Sequence, residues 1–224
     1  MSPWKTLKGY LHRNSRIWLF CYLPVFLLLF LVAERLNPAD GVYWCTSCQV
    51  DAAIPFVAWY AVFYCCWYPL LAGLAVYTCL REPGAFVRFG CFVAVGFTAC
   101  LAICILAPNG QDLRPAALPE GLFGRVVAGI YRADTNTNVF PSVHVVGTVA
   151  AVLAVFDSPS LRRLRLPAAE LGVLIIMSTL FIKQHSVLDV LGAFLLCLPL
   201  GLGVYARRLR AAMGPRPADT AASS

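Results

Sequence analysis

Two of the three histidines in this 224-residue chain stand where chemistry is feasible. His185 and Asp189 are four residues apart, and on a helix that spacing puts both side chains on one face, about 6 Å apart at the β-carbons. A carboxylate so placed accepts the proton of one ring nitrogen, fixes the tautomer and leaves the other nitrogen as a nucleophile or base. It is the orienting half of a catalytic triad. The second histidine ends the run Asn138-Val139-Phe140-Pro141-Ser142-Val143-His144. Pro141 suits the first position of a helix, where its missing N–H would be unpaired anyway. Ser142 and His144 then fall in the first turn, where free N–H groups and the positive end of the helix dipole attract an anion. A serine hydroxyl adds a donor there, and a histidine can carry a proton to a departing oxygen.

Taken singly, each cluster is better read as a capped helix start with a polar pair in water. Their weight comes from the elements that must carry them. The chain is 60% apolar and 13% charged, against about 45–50% and about 25% in soluble domains, and its mean hydropathy is +0.73. A soluble globule, a disordered chain and a coiled coil are excluded, and the chain reads as an integral membrane protein. The apolar residues fall in blocks near the roughly 20 residues that cross a bilayer: 17–32, 52–80, 86–107, 141–156, 167–182 and 186–206. The alternating ten-residue pattern of a membrane barrel is missing. The expected fold class is therefore all-α, a polytopic bundle of six transmembrane helices over 17–206, flanked by a basic segment 1–16 and a basic, disordered tail 207–224.

Orientation follows from Lys and Arg near the span ends. Lys5, Lys8, Arg13, Arg16, Arg81, Arg88, Arg162, Arg163, Arg165, Arg207, Arg208, Arg210 and Arg216 all lie on one side if there are six spans, which is thirteen of eighteen basic residues. Both termini are thus predicted to be cytoplasmic, with the plasma membrane as location. The net charge of +7 sits at membrane edges, suits anionic headgroups and forms no stripe for nucleic acid. The first span lacks a small-residue cleavage site and continues to Glu34-Arg35, so it reads as a retained anchor. Eight of ten cysteines lie in or at spans; Cys45 and Cys48 share a polar loop, as a disulfide or as two free thiols. The longest polar loop, 108–140, is punctuated by Pro and Gly and holds an interfacial helix near Leu122–Tyr131.

In this topology Asp112-Leu113-Arg114-Pro115, the Asn138–His144 run and the stretch from Ser178-Thr179 through Lys183-Gln184-His185 to Asp189 all reach one membrane face. His12 lies on the other and has an ordinary surface role. Two imidazoles and a carboxylate could also suit zinc, but Ser142, Arg114 and Lys183 around them favour an anion over a cation. No metal and no cofactor is expected. A scaffold or channel would need polar pore linings, and the spans offer little beyond Thr98, Thr148, Ser178 and Thr179.

The pattern Pro141-Ser142-x-His144, followed by Ser178-Thr179-x5-His185-x3-Asp189, resembles the second and third signature motifs of the type 2 phosphatidic acid phosphatase superfamily of six-helix membrane enzymes. Asp134-Thr135-x-Thr137-Asn138-x-Phe140-Pro141-Ser142-x-His144 resembles the branch that includes inositol phosphorylceramide synthases. The resemblance runs from about Arg114 to the end of the sixth span. It implies a metal-independent lipid phosphatase with His185 as the nucleophile that takes the phosphoryl group, Asp189 orienting it, and His144 protonating the leaving alkoxide. Arg114, Ser142 and Ser178 occupy positions that hold phosphate oxygens in the family. The implied substrate is a lipid phosphate monoester or diphosphate of the phosphatidic acid or prenyl diphosphate class, with phosphotransfer to an alcohol as the alternative. Two family cations are missing: Ala107 stands where a lysine is expected and Thr179 where an arginine is. Lys183 is the nearest expected replacement, with Arg125 and Arg132 behind it.

Overall fold

The computed structural model describes residues 19–36 and 42–213, with side chains through 206. His12 and the basic segment 1–16 lie outside the described residues, as does the tail beyond 213. The protein is a multi-pass helical membrane protein. Its order is α1 (Tyr22–Leu36), β1 (Trp44–Cys45), α2 (Gln49–Ala53), α3 (Ala61–Arg81), α4 (Pro83–Leu106), β2 (Asn109–Gly110), α5 (Leu122–Ala133), α6 (Val143–Asp157), α7 (Arg165–Phe181) and α8 (Val187–Met213).

Among the described residues, five helical stretches are long and apolar enough to cross a membrane: 19–36, 58–81, 83–106, 159–181 and 187–206. The fourth expected span, α6, is shorter than that at 15 residues, or about 22 Å at 1.5 Å per residue. The long second apolar block is broken. Ile54, which precedes Pro55, is extended, and α2 stops before it, as the clash of proline with the preceding backbone requires; the membrane helix starts afresh at Ala58–Tyr60. At the other end, α8 runs on to Met213, so the expected tail is helical in its first turns.

α6 is the axis of the bundle, touching α3, α4, α7 and α8, whereas α1 leans chiefly on α4. Its face is built from small residues, Gly147, Ala150, Ala151 and Ala154, all buried. Between helices in lipid, such residues allow the backbones to approach. The closeness is literal at Gly147, where a β-carbon would stand 2.8 Å from the Trp67 ring, and at Gly96 of α4, where it would meet Val146 at 2.6 Å. On the side away from the histidines, Arg88 of α4 pairs with Asp157 at the end of α6 at 2.6 Å.

On the histidine side the loops are stitched together. β1 and β2 pair in parallel, Trp44 with Asn109 and Cys45 with Gly110, and Gly110 bridges Thr137. Asn109 holds the Phe140 backbone, its Oδ1 accepting from Phe140 N at 2.8 Å. Gln111 Nε2 donates to the Lys183 carbonyl at 2.9 Å. These side chains fasten the segments before His144 and before His185 to one loop. The expected interfacial helix is present as α5. Cys45 and Cys48 are free thiols.

Candidate active site

The two histidines meet although 41 residues of chain separate them. His144 Nδ1 lies 3.3 Å from His185 Nε2, and His185 Nδ1 lies 3.4 Å from Asp189 Oδ2. All three residues are buried. An ionised carboxylate only accepts, so pairing with Asp189 favours the tautomer with a proton on His185 Nδ1, in which Nε2 is a lone pair that can accept from His144 Nδ1–H. Asp189, His185 and His144 thus stand in series rather than converging on one point, as three ligands of a zinc ion would. Among the described residues no three His, Cys, Asp or Glu side chains gather as ligands for a metal ion.

The local folding differs from the expected helix face. His185 precedes the helix; Ser186 and Asp189 form a reciprocal cap at the start of α8, Ser186 N donating to Asp189 Oδ2 at 2.7 Å and Asp189 N to Ser186 Oγ at 3.2 Å. A Ser-x-x-Asp pair satisfies two helix-start donors in this way. The same carboxylate that caps α8 therefore faces the imidazole. Asp51, buried in α2, adds an acceptor for Val187 N at 2.8 Å. Pro141 likewise stands before its helix, and Ser142 is the N-cap of α6, its Oγ accepting from Val145 N at 3.3 Å.

His144 is bracketed by rings. Tyr64 and Trp67 of α3 lie with centroids 4.5 and 4.6 Å from it, and Trp67 Nε1 donates to the His144 carbonyl at 3.0 Å. Tyr64 also donates to Asp134 Oδ2 at 2.8 Å. His144 Nε2 is buried without a hydrogen-bond partner, and so is His185 Nδ1, whose 3.4 Å approach to Asp189 Oδ2 is an ion-pair contact and not a formed hydrogen bond. Residues three apart on α3 share a helix face, a signal in the sequence that nevertheless does not say which residue the pair will hold.

A cavity of about 520 Å³ reaches the histidines. One wall is α1, with Phe26, Leu27, Phe30 and Leu31 giving way to Glu34 and Arg35; Arg132, Asp134, Thr135 and Asn138 add polar groups, and Trp67 and Tyr68 of α3 line it together with His144 and His185. From Phe26 to Glu34 the α1 wall extends about 12 Å. Glu34 accepts from Thr135 Oγ1 and from Asn138 Nδ2 at 2.8 Å, tying α1 to the loop ahead of His144. An ionisable residue at the end of a membrane helix is a functional candidate by default, and Glu34 carried that signal.

The remaining expected phosphate contacts have hydrogen-bond partners of their own. Arg114 donates to the Asp134 carbonyl at 2.6 Å and to Gln184 Oε1 at 3.0 Å, lies 4.2 Å over the Tyr131 ring and does not line the cavity. Burial lowers its pKa, with Asp134 opposing. Burial also pushes the Tyr131 hydroxyl up to about 12, Arg114 opposing; that hydroxyl donates to the Ile182 carbonyl at 2.5 Å. Ser178 is buried and donates to Ile175 O within its own helix at 2.6 Å. Lys183 points to the other side of its loop, its ammonium donating to the carbonyls of Asp51 at 2.8 Å and Ile54 at 2.6 Å, and burial lowers its pKa against the pull of Asp51. Lys183 takes a left-handed backbone, φ 56°, which turns the chain between α7 and the His185 loop. The structure thus brings together His144, His185 and Asp189, joins Ser142 to Asp189 through a backbone hydrogen bond of 3.2 Å, and gives Arg114, Ser178 and Lys183 hydrogen-bond partners outside that trio.

No protein-family model, curated protein or solved structure matches the chain.

Proposed function

We propose that this protein is a member of the type 2 phosphatidic acid phosphatase superfamily, with α6 as the sixth crossing, and that it hydrolyses a lipid phosphate monoester or diphosphate without a metal. The observation that carries the reading is the series Asp189–His185–His144, with contacts of 3.4 and 3.3 Å, whose two histidines line a cavity walled by α1.

In the proposed reaction His185 Nε2 attacks phosphorus, the N–P bond forming as the P–O bond to the lipid breaks. A proton taken up together with the bound phosphate makes His144 an imidazolium, and this proton passes to the departing alkoxide. Water then attacks the phosphohistidine, His144 takes back a proton, and inorganic phosphate leaves. Asp189 holds the Nδ1 proton throughout and balances the charge of the imidazole. The phosphoryl group must sit where His144 Nδ1 now touches His185 Nε2, so substrate entry parts the two rings. Apolar side chains from Phe26 to Leu31 offer hydrocarbon a path along α1 while the phosphate reaches the histidines, which supports a lipid substrate. The charge pattern of the loops supports cytoplasmic termini and an active site on the outer face of the plasma membrane.

A second reading is phosphotransfer to an alcohol. It is favoured by Glu34 and Asp134, two hydrogen-bond acceptors in the cavity wall that could orient an acceptor hydroxyl.

The test is phosphate release from a panel of lipid phosphates by purified wild type and His185→Ala in detergent with chelator, together with trapping of an acid-labile phosphohistidine. Release and trapping by wild type alone is expected. Turnover by His185→Ala equal to wild type, or activity lost in chelator and restored by zinc or magnesium, would overturn the mechanism.

A further inference from the structure

A dianionic phosphate entering this cavity needs cations, and the expected ones are not there. Ala107 and Thr179 carry no charge, Lys183 is fastened to the Asp51 and Ile54 carbonyls, and Arg114, whose two terminal nitrogens donate to carbonyls and Gln184 while its Nε has no partner, does not line the cavity. Two cationic side chains do line it, Arg35 in the last turn of α1 and Arg132 in the last turn of α5. Both are exposed. Among the described residues neither makes a hydrogen bond or an ion pair. The carboxylates of the same wall do not take up these charges: Glu34 holds Thr135 and Asn138, and Asp134 holds Tyr64.

A basic residue in the last turn of a helix also complements the helix dipole, which would account for either arginine alone. It does not account for both bordering the same cavity as the histidine pair, from helices far apart in the chain. A guanidinium presents a planar fork that matches phosphate oxygens two at a time. On the proposed lipid phosphatase reading, we infer that Arg35 and Arg132 together hold the phosphate of a terminal lipid phosphomonoester, in place of the two missing family cations. Two forks suit a terminal phosphate, which offers three free oxygens and two negative charges. A phosphodiester offers two free oxygens and one charge, so the pair selects monoesters.

The test uses the full-length protein in detergent: wild type, Arg35→Gln, Arg132→Gln, the double variant and the two Arg→Lys variants. Thermal stabilisation by dioctanoyl phosphatidic acid is compared with that by dioctanoyl phosphatidylglycerol and dioctanoylglycerol, and phosphate release is followed in parallel. Wild type should be stabilised selectively by phosphatidic acid. Each Arg→Gln change should weaken that apparent affinity about tenfold or more, the double variant should lose the preference for the monoester, and the Arg→Lys changes should restore part of it, with unliganded melting temperatures unaltered. Affinity for phosphatidic acid unchanged in the double variant, or no selective stabilisation of wild type, would overturn the assignment. Arginine-dependent binding without phosphate release or transfer would leave the site standing and sink the reaction; phosphate release with arginine-independent affinity would do the reverse.

Discussion

Asp189→Asn separates the two tasks of one carboxylate. Asp189 is fully buried; its Oδ2 caps the start of α8 by accepting from Ser186 N at 2.7 Å and faces His185 Nδ1 at 3.4 Å. Asparagine retains one carbonyl oxygen, enough for the cap, so the stability cost should stay within about 1 kcal/mol, the usual scale of a lost cap. Toward His185 it presents either an NH2 group, which opposes the Nδ1 proton, or a neutral amide oxygen, which accepts that proton more weakly than a carboxylate does. Either way it cannot offset a charge on the ring. In the serine-protease triad the equivalent change costs about 10⁴-fold in rate. Here the contact is longer than the roughly 2.7–2.9 Å of a strong charge-assisted bond, so a loss of about 10³- to 10⁴-fold is expected, or about 4–5.5 kcal/mol at 1.36 kcal/mol per tenfold. Phosphate release from dioctanoyl phosphatidic acid, measured beside thermal unfolding of the same samples, compares the two effects directly. Turnover within tenfold of wild type, while His185→Ala is inactive, would show that the carboxylate only caps the helix.

Two further outcomes follow from the packing. Lys183→Met removes an ammonium that joins two carbonyls at 2.8 and 2.6 Å; it should cost about 2 kcal/mol, a fall of about 4–8 °C in melting temperature for a chain of this size, with KM of the folded enzyme unchanged. A raised KM at an unaltered melting temperature would return Lys183 to the phosphate site. Gly147→Ala would press a methyl group to 2.8 Å from Trp67, costing about 1–3 kcal/mol, and because that ring lies 4.6 Å from His144 kcat should fall by more than the folded fraction does; unchanged tryptophan fluorescence and kcat would refute the coupling.

Composition and periodicity determine that this chain is helical and crosses a membrane several times, because a backbone in hydrocarbon must satisfy its own hydrogen bonds and long apolar runs have no other stable form there. The Ser142 cap at the start of α6 is local and follows from the sequence, but the expected helix-face relation of His185 and Asp189 does not hold, because α8 begins at Val187 and the two residues face each other across its cap. What spacing does not carry is the direction of a side chain once segments pack. Lys183 and His185 are two residues apart, yet one is drawn to the carbonyls of Asp51 and Ile54 and the other to His144. Glu34 and Arg35 read as the end of an anchor until α1 is laid along the loop ahead of His144. The cavity arises between α1 and segments a hundred residues away, and which charges face it is decided by which polar groups find partners elsewhere. That is a property of the assembled bundle, where each buried donor must be satisfied at once.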